Sequence, residues 1–511
     1  MRAKFAAYLL CSALACPLMA QAEAPLSAID WLNDPVPNPL TLSPDLVEPE
    51  VTQTALTPDI SVTPLGEIQS DAVGLLPPKM TGLPLDLWQH SATDDLVDLI
   101  EAQSVKTLPA MQALFYTLML AEAEAPGDSD QRNRLLTARL DALLDLGAVE
   151  AVQAILDRAN PATPDLFARW FQATLLTGDE DRACLQLMQT PRLAPSYAAR
   201  VFCTARSGDW STAALILETG RALDLINTQE LALLQHFLDP ELFEGEPLPH
   251  PPVRPSSLVF RLREAVGEPM ATAPLPRPFA VADLRGNTGW KAKIEAAERL
   301  AQTGALAENR LLGIYSERSP AASGGLWDRV DAVQKLDVAL RTGDTDAVEV
   351  TLPKAFVAIK VARLEVPFAK LFAEPLSLIP LAGQAAEMTY RLALLSSEYE
   401  TAAQIQGEDH PDMAFLTALA RGAPQEIPAK TEVEKAIQDG FAQTTLPDIF
   451  AQDAADRRLG EIILRAMTLY QRAVEGETNQ LATALATLRS VGLEDAARQS
   501  ALQILLLDRG V

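Results

Sequence analysis

The chain has 511 residues, and its hydrophobic content of 48% is sufficient for a large core, while its length predicts two or three domains. Lysine and arginine total 42 against 68 acidic residues, which gives a formal net charge of −26. So acidic a chain repels nucleic acid and anionic membrane surfaces, and this argues against nucleic acid as a partner.

The first 22 residues have the pattern of a secretory signal peptide. A basic start at Arg2 and Lys4 is followed by an apolar run over residues 5–15 and by small residues that suit cleavage after Ala22. The apolar run is too short for a membrane anchor, and no later stretch approaches the roughly 20 apolar residues that cross a bilayer. We therefore expect an exported, periplasmic protein that does not span the membrane.

Cys16 offers an alternative, in which the exported chain is a lipoprotein anchored at this cysteine. Ala13 rather than leucine stands three positions before Cys16, and Pro17 follows it, so cleavage after Ala22 is favoured. That cleavage removes Cys11 and Cys16. It also removes two basic residues, which leaves 40 basic against 68 acidic residues and a net charge of −28.

Residues 23–85 form a proline-rich, acidic segment. It contains 11 prolines, nine acidic residues and a single basic residue, Lys79. Proline at this density removes backbone donors and does not sustain a helix or a central strand. The composition predicts an extended arm. Two roles stay open for it: a flexible leader, or a peptide-like arm that docks on a partner or on the body of the protein.

Helical periodicity dominates the rest of the chain. It covers residues 86–240 and 289–511, and strand signals are missing from both ranges. Between them, residues 241–288 form a proline-rich linker around one short helical stretch, SSLVFRLREAVGE. The sequence thus predicts an all-α fold with two helical lobes on either side of the linker.

Short segments centred on a glycine recur in both lobes. They read LGAVEAV at 146–152, TGDEDRA at 177–183, SGDWSTA at 207–213, TGDTDAV at 342–348 and VGLEDAA at 491–497. Each lies between two apolar-periodic stretches, which is typical of two helices joined by a tight turn. A glycine can adopt the left-handed conformation that ends a helix, and an aspartate after it can cap the next helix. The predicted turn residues are Gly147, Gly178, Asp179, Gly208, Asp209, Gly343, Asp344 and Gly492.

These hairpins resemble the turn of tetratricopeptide-type repeats, in which Gly-Asp and a following alanine stand at the same spacing. The match is clearest at 166–189 and 197–220. Most other marks of the family are absent, and the spacing of 30 or 31 residues between turns is shorter than the family's repeat of about 34. The resemblance implies a degenerate α-solenoid, a fold whose stacked hairpins expose a long surface for binding protein.

Two cysteines, Cys184 and Cys203, remain after the predicted cleavage. They belong to the second helix of one hairpin and the first helix of the next, and such helices are neighbours in a stacked solenoid. An oxidising compartment permits a disulfide between them. The alternative is a pair of buried free thiols, because cysteine packs as a small hydrophobe.

No catalytic, cofactor or metal site is predicted. The sequence lacks phosphate-binding glycine motifs and a nucleophile elbow, and its four histidines are far apart in the chain: His90, His236, His250 and His410. A small-molecule ligand is not indicated by any motif, and a solute-binding role in a cleft between the two lobes stays open as a further alternative. The patterns favour a non-enzymatic periplasmic scaffold or assembly factor that binds protein partners of the cell envelope. Helical-repeat proteins of flagellar motors and secretion systems are analogues at the level of fold.

The alternative is a relative of peptidoglycan-processing enzymes, since lytic transglycosylases can carry a helical superhelix. The tripeptide at 187–189, Leu-Met-Gln, is similar to one beside their catalytic glutamate, but the rest of that catalytic pattern is missing. Cys184, Leu187 and Met188 lie at helical spacing, so we interpret this stretch as helix core. Glu461, a lone carboxylate on an apolar C-terminal helix, is expected at the surface.

Overall fold

The computed structural model describes residues 69–507 except Gln131 and Asn287. The predicted signal peptide and residues 23–68 of the predicted arm lie outside the described residues. Within them the fold is all-α, as predicted, and the one extended pairing in this range is an isolated parallel bridge between Leu76 and Ala121. In the same part of the chain, no helix has the length and apolarity needed to cross a membrane.

Helices α1–α24 follow one another along the described chain, joined by short turns and 3₁₀ segments. They are α1 (Pro78–Thr81), α2 (Thr93–Glu101), α3 (Pro109–Leu120), α4 (Arg134–Leu146), α5 (Val149–Ala159), α6 (Pro164–Thr177), α7 (Glu180–Gln189), α8 (Tyr197–Arg206), α9 (Trp210–Ala222), α10 (Thr228–Leu238), α11 (Ser257–Ala265), α12 (Trp290–Ala301), α13 (Glu308–Tyr315), α14 (Leu326–Thr342), α15 (Thr345–Val361), α16 (Glu365–Ser377), α17 (Gly383–Leu395), α18 (Tyr399–Gln406), α19 (Ala414–Ala420), α20 (Glu432–Ala442), α21 (Ala451–Ala455), α22 (Leu459–Val474), α23 (Asn479–Ser490) and α24 (Glu494–Leu506).

Each of the five glycines at the recurring turns has a positive φ, between +66° and +89°. Gly147, Gly178 and Gly343 directly follow the last residues of α4, α6 and α14. Gly208 stands between α8 and α9, and Gly492 between α23 and α24. In this left-handed region a Cβ is strained, so glycine is the residue that turns the chain back most easily. The joined helices pack against each other in all five cases.

The aspartates after these glycines fall into two groups. Asp209 and Asp344 cap the helices that follow, because their carboxylates accept hydrogen bonds from the backbone N–H groups of Thr212 and Ala347 at 3.1 and 3.0 Å. The Asp179 carboxylate instead accepts from Nε2 of Gln153 on the preceding helix pair at 2.9 Å. Two of the three aspartates thus stabilise a helix start, while the third ties neighbouring hairpins together.

Cys184 on α7 and Cys203 on α8 form the disulfide that the sequence suggested, with their Cα atoms 4.8 Å apart. Both cysteines are buried, as is Leu187, which shares a face of α7 with Cys184. The stretch around Cys184 is therefore helix core. Met188 departs from the expectation, because 40% of its surface is exposed.

The first helices of the described chain pack on the last ones. Nε2 of Gln103, after α2, donates to the carbonyl oxygen of Leu464 at 3.2 Å, and the N–H of Ala110 on α3 donates to Oε1 of Gln503 at 2.7 Å. Gly460 on α22 lies so close to the ring of Trp88 that a Cβ at this position would overlap it. The two-lobe arrangement is not confirmed, since all described residues belong to one compact unit.

Residues 70–85, the end of the predicted arm, are also part of this packed unit. The N–H groups of Leu75 and Leu76 donate to the carbonyl oxygen of Leu120 at 2.8 and 3.0 Å. The guanidinium of Arg139, which is fully buried, donates to the carbonyl oxygens of Asp71, Met119 and Ala121. The backbone of this segment thus supplies one of the three carbonyl oxygens that bind a buried cation in α4.

The proline-rich stretch between α10 and α12 packs on the first hairpins. It contains α11 and a 3₁₀ segment, Arg277–Leu284. The rings of Phe260 and Phe279 meet edge to face with centroids 5.3 Å apart, and both are buried. Because α11 contacts α6, and the 3₁₀ segment contacts α4 and α6, this stretch forms one wall of a groove.

Candidate functional site: a groove across the first hairpins

A groove of about 610 Å³ crosses the hairpins between α4 and α10; we call it the hairpin groove. One side is built by α4, α6, the start of α8 and α10, and the other by the start of α11 and the 3₁₀ segment. Its lining residues are Asp141, Leu144, Asp145, Ala168, Phe171, Gln172, Leu175, Pro195, Ser196, Ala199, Glu230, Pro255, Ser256, Ser257, Leu258, Pro276, Pro278 and Phe279.

The floor of the hairpin groove is apolar. Ala168, Phe171, Gln172 and Leu175 follow the i, i+3, i+4, i+7 spacing that places side chains on one helix face. Phe171 and Leu175 are almost fully buried. One stripe of α6 therefore belongs to the core and also borders the groove, where its apolar side chains form the floor.

Carboxylates stand along the rim. Asp141 and Asp145 are one turn apart on α4, and Glu230 borders the same side of the groove further along, on α10. Burial raises the pKa of Asp145, and the negative charge of Asp141 raises it further, while Arg277 opposes both effects. Burial likewise raises the pKa of Glu230. A cation bound in the groove would favour the charged form of both groups.

One rim carboxylate already has a cationic partner within the chain. Nη2 of Arg169 on α6 lies 2.6 Å from Oδ2 of Asp141. No comparable ion pair is formed by Asp145 or Glu230 within the described part of the chain. The Glu230 carboxylate accepts a hydrogen bond from Nδ2 of Asn227 at 2.7 Å, but neither carboxylate has a cation bound to it among the described residues, so both can attract a basic ligand.

Ser257, at the start of α11, adds a buried polar group to the opposite wall. Its side chain is only 6% exposed, and its Oγ has no hydrogen-bond partner among the described residues. The neighbouring Ser256 differs, because its side chain caps α11 by accepting from the N–H of Val259 at 3.1 Å. A buried hydroxyl without a partner is costly, so Ser257 is suited to a hydrogen bond with a bound segment.

Other buried carboxylates tie helices together. Glu298 on α12 accepts from the hydroxyl of Tyr315 at 2.6 Å and from both Nε and Nη2 of Arg329 at 2.7 Å. Glu180 accepts from Nε of Arg261 at 3.0 Å. These pairs join elements 17 to 81 residues apart in the chain and belong to the architecture of the fold.

The expectation that Glu461 lies at the surface is wrong. Its side chain is fully buried, and Oε2 accepts from Nη2 of Arg465 at 2.9 Å. Nη1 of the same arginine donates to Asp453, so two carboxylates share one cation. Burial of the Glu461 carboxylate is tolerated because its ion-pair partner, Arg465, lies one turn further along the same helix, α22.

The sequence analysis predicted no functional residues in the hairpin groove, and it did not identify the carboxylates along the rim. The i, i+4 pair of Asp141 and Asp145 is visible in the sequence, but the wall that faces it comes from residues 255–279. Across residues 69–507, leaving aside 131 and 287, no three histidine, cysteine, aspartate or glutamate side chains cluster so as to hold a metal ion.

In comparisons with known proteins, no family model matches the chain, and no significant similarity to a curated protein or to a solved structure is found.

Proposed function

We propose that the protein is an exported, non-enzymatic helical-repeat scaffold that binds a segment of a partner protein in the hairpin groove. The observation that carries the proposal is the composition of this groove, which combines an apolar floor from α6 with carboxylates on α4 and α10. The groove crosses the first helices of successive hairpins, which is the surface that solenoid proteins commonly use for binding.

Export and a solenoid architecture are parts of the same proposal. The pattern of the first 22 residues supports a periplasmic location, and the Cys184–Cys203 disulfide is compatible with an oxidising compartment. Support for a degenerate tetratricopeptide-like repeat comes from the left-handed glycines at 147, 178 and 208, which lie 31 and 30 residues apart. The proposed partner is accordingly a protein of the cell envelope.

The chemistry of the groove defines the segment that fits it. The two rim carboxylates Asp145 and Glu230 are complementary in charge to a lysine or arginine of the bound segment. The apolar floor beside Phe171 is suited to contact a leucine or an aromatic side chain. Ser257 would bond to the backbone of an extended chain. We therefore expect a short segment in which basic and apolar residues alternate or adjoin, and its affinity should fall as salt rises.

A peptide array tests this proposal. The protein from residue 23 onward is applied to peptides of random sequence, and the expected result is selection of peptides with lysine or arginine next to leucine or an aromatic residue. The double variant Asp145→Asn/Glu230→Gln should weaken binding of the selected peptides about ten-fold or more, since the two charge-assisted contacts together contribute about 1.4 kcal/mol or more.

The matched control is Asp95→Asn/Glu101→Gln on α2, which makes the same change of charge at exposed positions outside the groove. Equal loss of binding in both double variants would show a general charge effect and contradict the proposal. Selection of acidic peptides would contradict it as well. Release of fragments from purified peptidoglycan would instead support the alternative, a relative of peptidoglycan-processing enzymes.

A further inference from the structure

A second concave site lies where the beginning, middle and end of the described chain meet. Three adjoining cavities form it, and Gln112 on α3 borders all of them. The two larger cavities measure about 210 and 680 Å³, and Gln302 and Thr303 border both. We call the three together the central cleft. Its volume is in the range of small-molecule sites.

Polar side chains of the cleft hold the surrounding elements in place. Nε2 of Gln302 donates to the carbonyl oxygen of Ala362 at 2.9 Å, and Oγ1 of Thr303 donates to that of Leu146 at 2.6 Å. Nε2 of Gln112 donates to the carbonyl oxygen of Val105 at 2.8 Å. Because these bonds fix α3 and the end of α12, the cleft is formed before any ligand binds.

The cleft is cationic although the whole protein is strongly acidic. Lys106, Arg277 and Arg363 border the larger cavity against a single carboxylate, Glu475. Lys370 borders the smaller one, together with Glu308. Four cations against two carboxylates give this site a net charge of +2, in a chain of net charge −26.

None of these four cationic side chains forms an ion pair within the described part of the chain. Their positive charges therefore remain available to a ligand. Arg277 donates to the carbonyl oxygen of Asp145 at 3.1 Å. Its pKa is lowered by burial and further by the nearby Arg299, while Asp145 partly opposes this. A guanidinium beside a second cation is suited to bind an anion.

Two buried atoms in the wall of the cleft also lack partners. Oγ1 of Thr107 and Oε1 of Gln471 are shielded from solvent, and neither has a hydrogen-bond partner among the described residues. Both residues border the smallest and the largest of the three cavities. Oε1 of Gln471 can only accept, so it would receive a hydrogen bond from a hydroxyl group of the ligand.

From this arrangement we propose that the central cleft binds a small organic anion with two or more carboxylate or phosphate groups and at least one hydroxyl. One anionic group lies against Lys106 and Arg363, and another lies toward Lys370, on the side of Gln112 and Gln302, which border both larger cavities. The hydroxyl donates to Gln471. This site is distinct from the hairpin groove, and the proposal does not depend on the function proposed for that groove.

Calorimetric titration at low ionic strength tests the proposal with the protein from residue 23 onward. The probes are citrate, which has carboxylates and a hydroxyl, pyrophosphate, succinate and inorganic phosphate. We expect citrate or pyrophosphate to bind about ten-fold or more tightly than inorganic phosphate, since a second charge-assisted contact contributes more than about 1.4 kcal/mol. Preference for citrate identifies a carboxylate ligand, and preference for pyrophosphate a phosphate ligand.

The test variant is Lys106→Gln/Arg363→Asn, in which both residues are exposed. Asparagine suits position 363, because Arg363 has a φ of +55°. The matched control is Lys354→Gln/Arg192→Asn, at exposed positions outside the cleft. We expect the test variant to bind the preferred probe about ten-fold more weakly and the control to bind it as the parent does.

Two results would overturn the proposal. One is the absence of measurable binding for all four probes in the low-millimolar range. The other is binding that the test variant retains, or that the control variant loses to the same extent. The melting temperature of each variant without ligand is measured alongside, and an unchanged value assigns a loss of binding to the cleft and not to unfolding.

Discussion

The hairpins α6–α9 and the junction between the first and last helices are held together in different ways. In the hairpins the decisive contacts are local, since a disulfide joins residues 19 positions apart and glycine turns connect consecutive helices. At the junction the contacts join residues 361 to 393 positions apart, such as Gln103 with Leu464 and Ala110 with Gln503. The contacts of the first region close short stretches of chain, whereas those of the second need almost the whole chain to be in place.

The largest effect is expected beside the junction, at Arg139. Burial lowers the pKa of this arginine to about 10, and its guanidinium bonds to three backbone carbonyl oxygens. Arg139→Leu leaves those oxygens without donors and also removes the positive charge near the buried Asp71. The free energy of unfolding should fall by about 3–5 kcal/mol, as measured by urea denaturation.

Arg132→Leu is the control, because Arg132 is exposed and its replacement should lower the free energy of unfolding by less than about 0.5 kcal/mol.

A chain that starts at Asp86 provides a second measurement. It lacks the partners that residues 70–85 supply to Arg139, α3 and α4, so it should lose about as much stability as Arg139→Leu or more. A chain that starts at Gln69 keeps these partners. Equal melting temperatures for the two truncated chains would contradict this account of the segment.

Removal of the disulfide tests how much a local contact within the hairpins contributes to stability. Cys184→Ala/Cys203→Ala removes a cross-link over 19 residues and should lower the free energy of unfolding by about 3 kcal/mol. Hydrogen exchange in α22–α24 should change little, because the hairpin does not hold the junction. Mass analysis after alkylation without reductant checks the premise, and two alkylated thiols in the native protein would contradict it.

The buried tyrosines make stability depend on alkaline pH. Tyr470, on α22, donates to the carbonyl oxygen of Ser500 at 3.0 Å, and burial raises its pKa well above 10. Burial and the negative charge of Glu298 do the same for Tyr315. Both phenols stay protonated in the folded protein, whereas in the unfolded chain they ionise near pH 10. Their contribution is therefore complete below pH 10 and is lost as the pH rises above it.

We expect each of these tyrosines to lower the free energy of unfolding by about 1.4 kcal/mol per pH unit above 10. Tyr470→Phe should reduce this slope, and denaturation curves between pH 8 and 11 measure it. Tyr197→Phe is the control, because this ring lies partly exposed on α8. Identical slopes for the parent and Tyr470→Phe would show that this phenol is not the buried group described.

The smallest predicted effect is the difference in stability between variants of two turn aspartates, Asp344 and Asp179. Asp344→Ala removes a helix cap and should cost about 1 kcal/mol, because the N–H of Ala347 loses its acceptor. Asp179→Ala should cost less, since its carboxylate bonds to the side-chain amide of Gln153, which is partly exposed to water, and does not cap a helix. Thermal denaturation of the two variants, which carry the same substitution after a glycine, compares them directly. A larger loss for Asp179→Ala would reverse the proposed roles.

These expectations show which parts of the molecule are accessible from the sequence. Gly147, Gly178 and Gly208 are recognisable because a left-handed turn depends on one residue and its immediate neighbours. Glu461 was misjudged, since its burial depends on compensation by Arg465 and on packing against the start of the described chain. The tertiary contacts that bury such a group leave no local pattern.

The hairpin groove and the central cleft were likewise not predictable from local sequence patterns. The rim pair of Asp141 and Asp145 is one helical turn apart, yet the opposite wall of the groove comes from a proline-rich stretch more than 100 residues later. In the central cleft, Lys106, Arg277 and Arg363 come from three distant parts of the chain. No motif connects them, and only the packed fold brings their charges together.

Site-specific crosslinking in cells tests the central claim, binding of a partner segment in the hairpin groove, most directly. A photoreactive phenylalanine analogue replaces Gln172 in the groove or, as a control, Ala214 on the exposed side of α9. We predict a crosslink from position 172, and not from 214, to a segment of another envelope protein that carries lysine or arginine beside an apolar residue. No crosslink from position 172, or the same crosslinked protein from both positions, would contradict it.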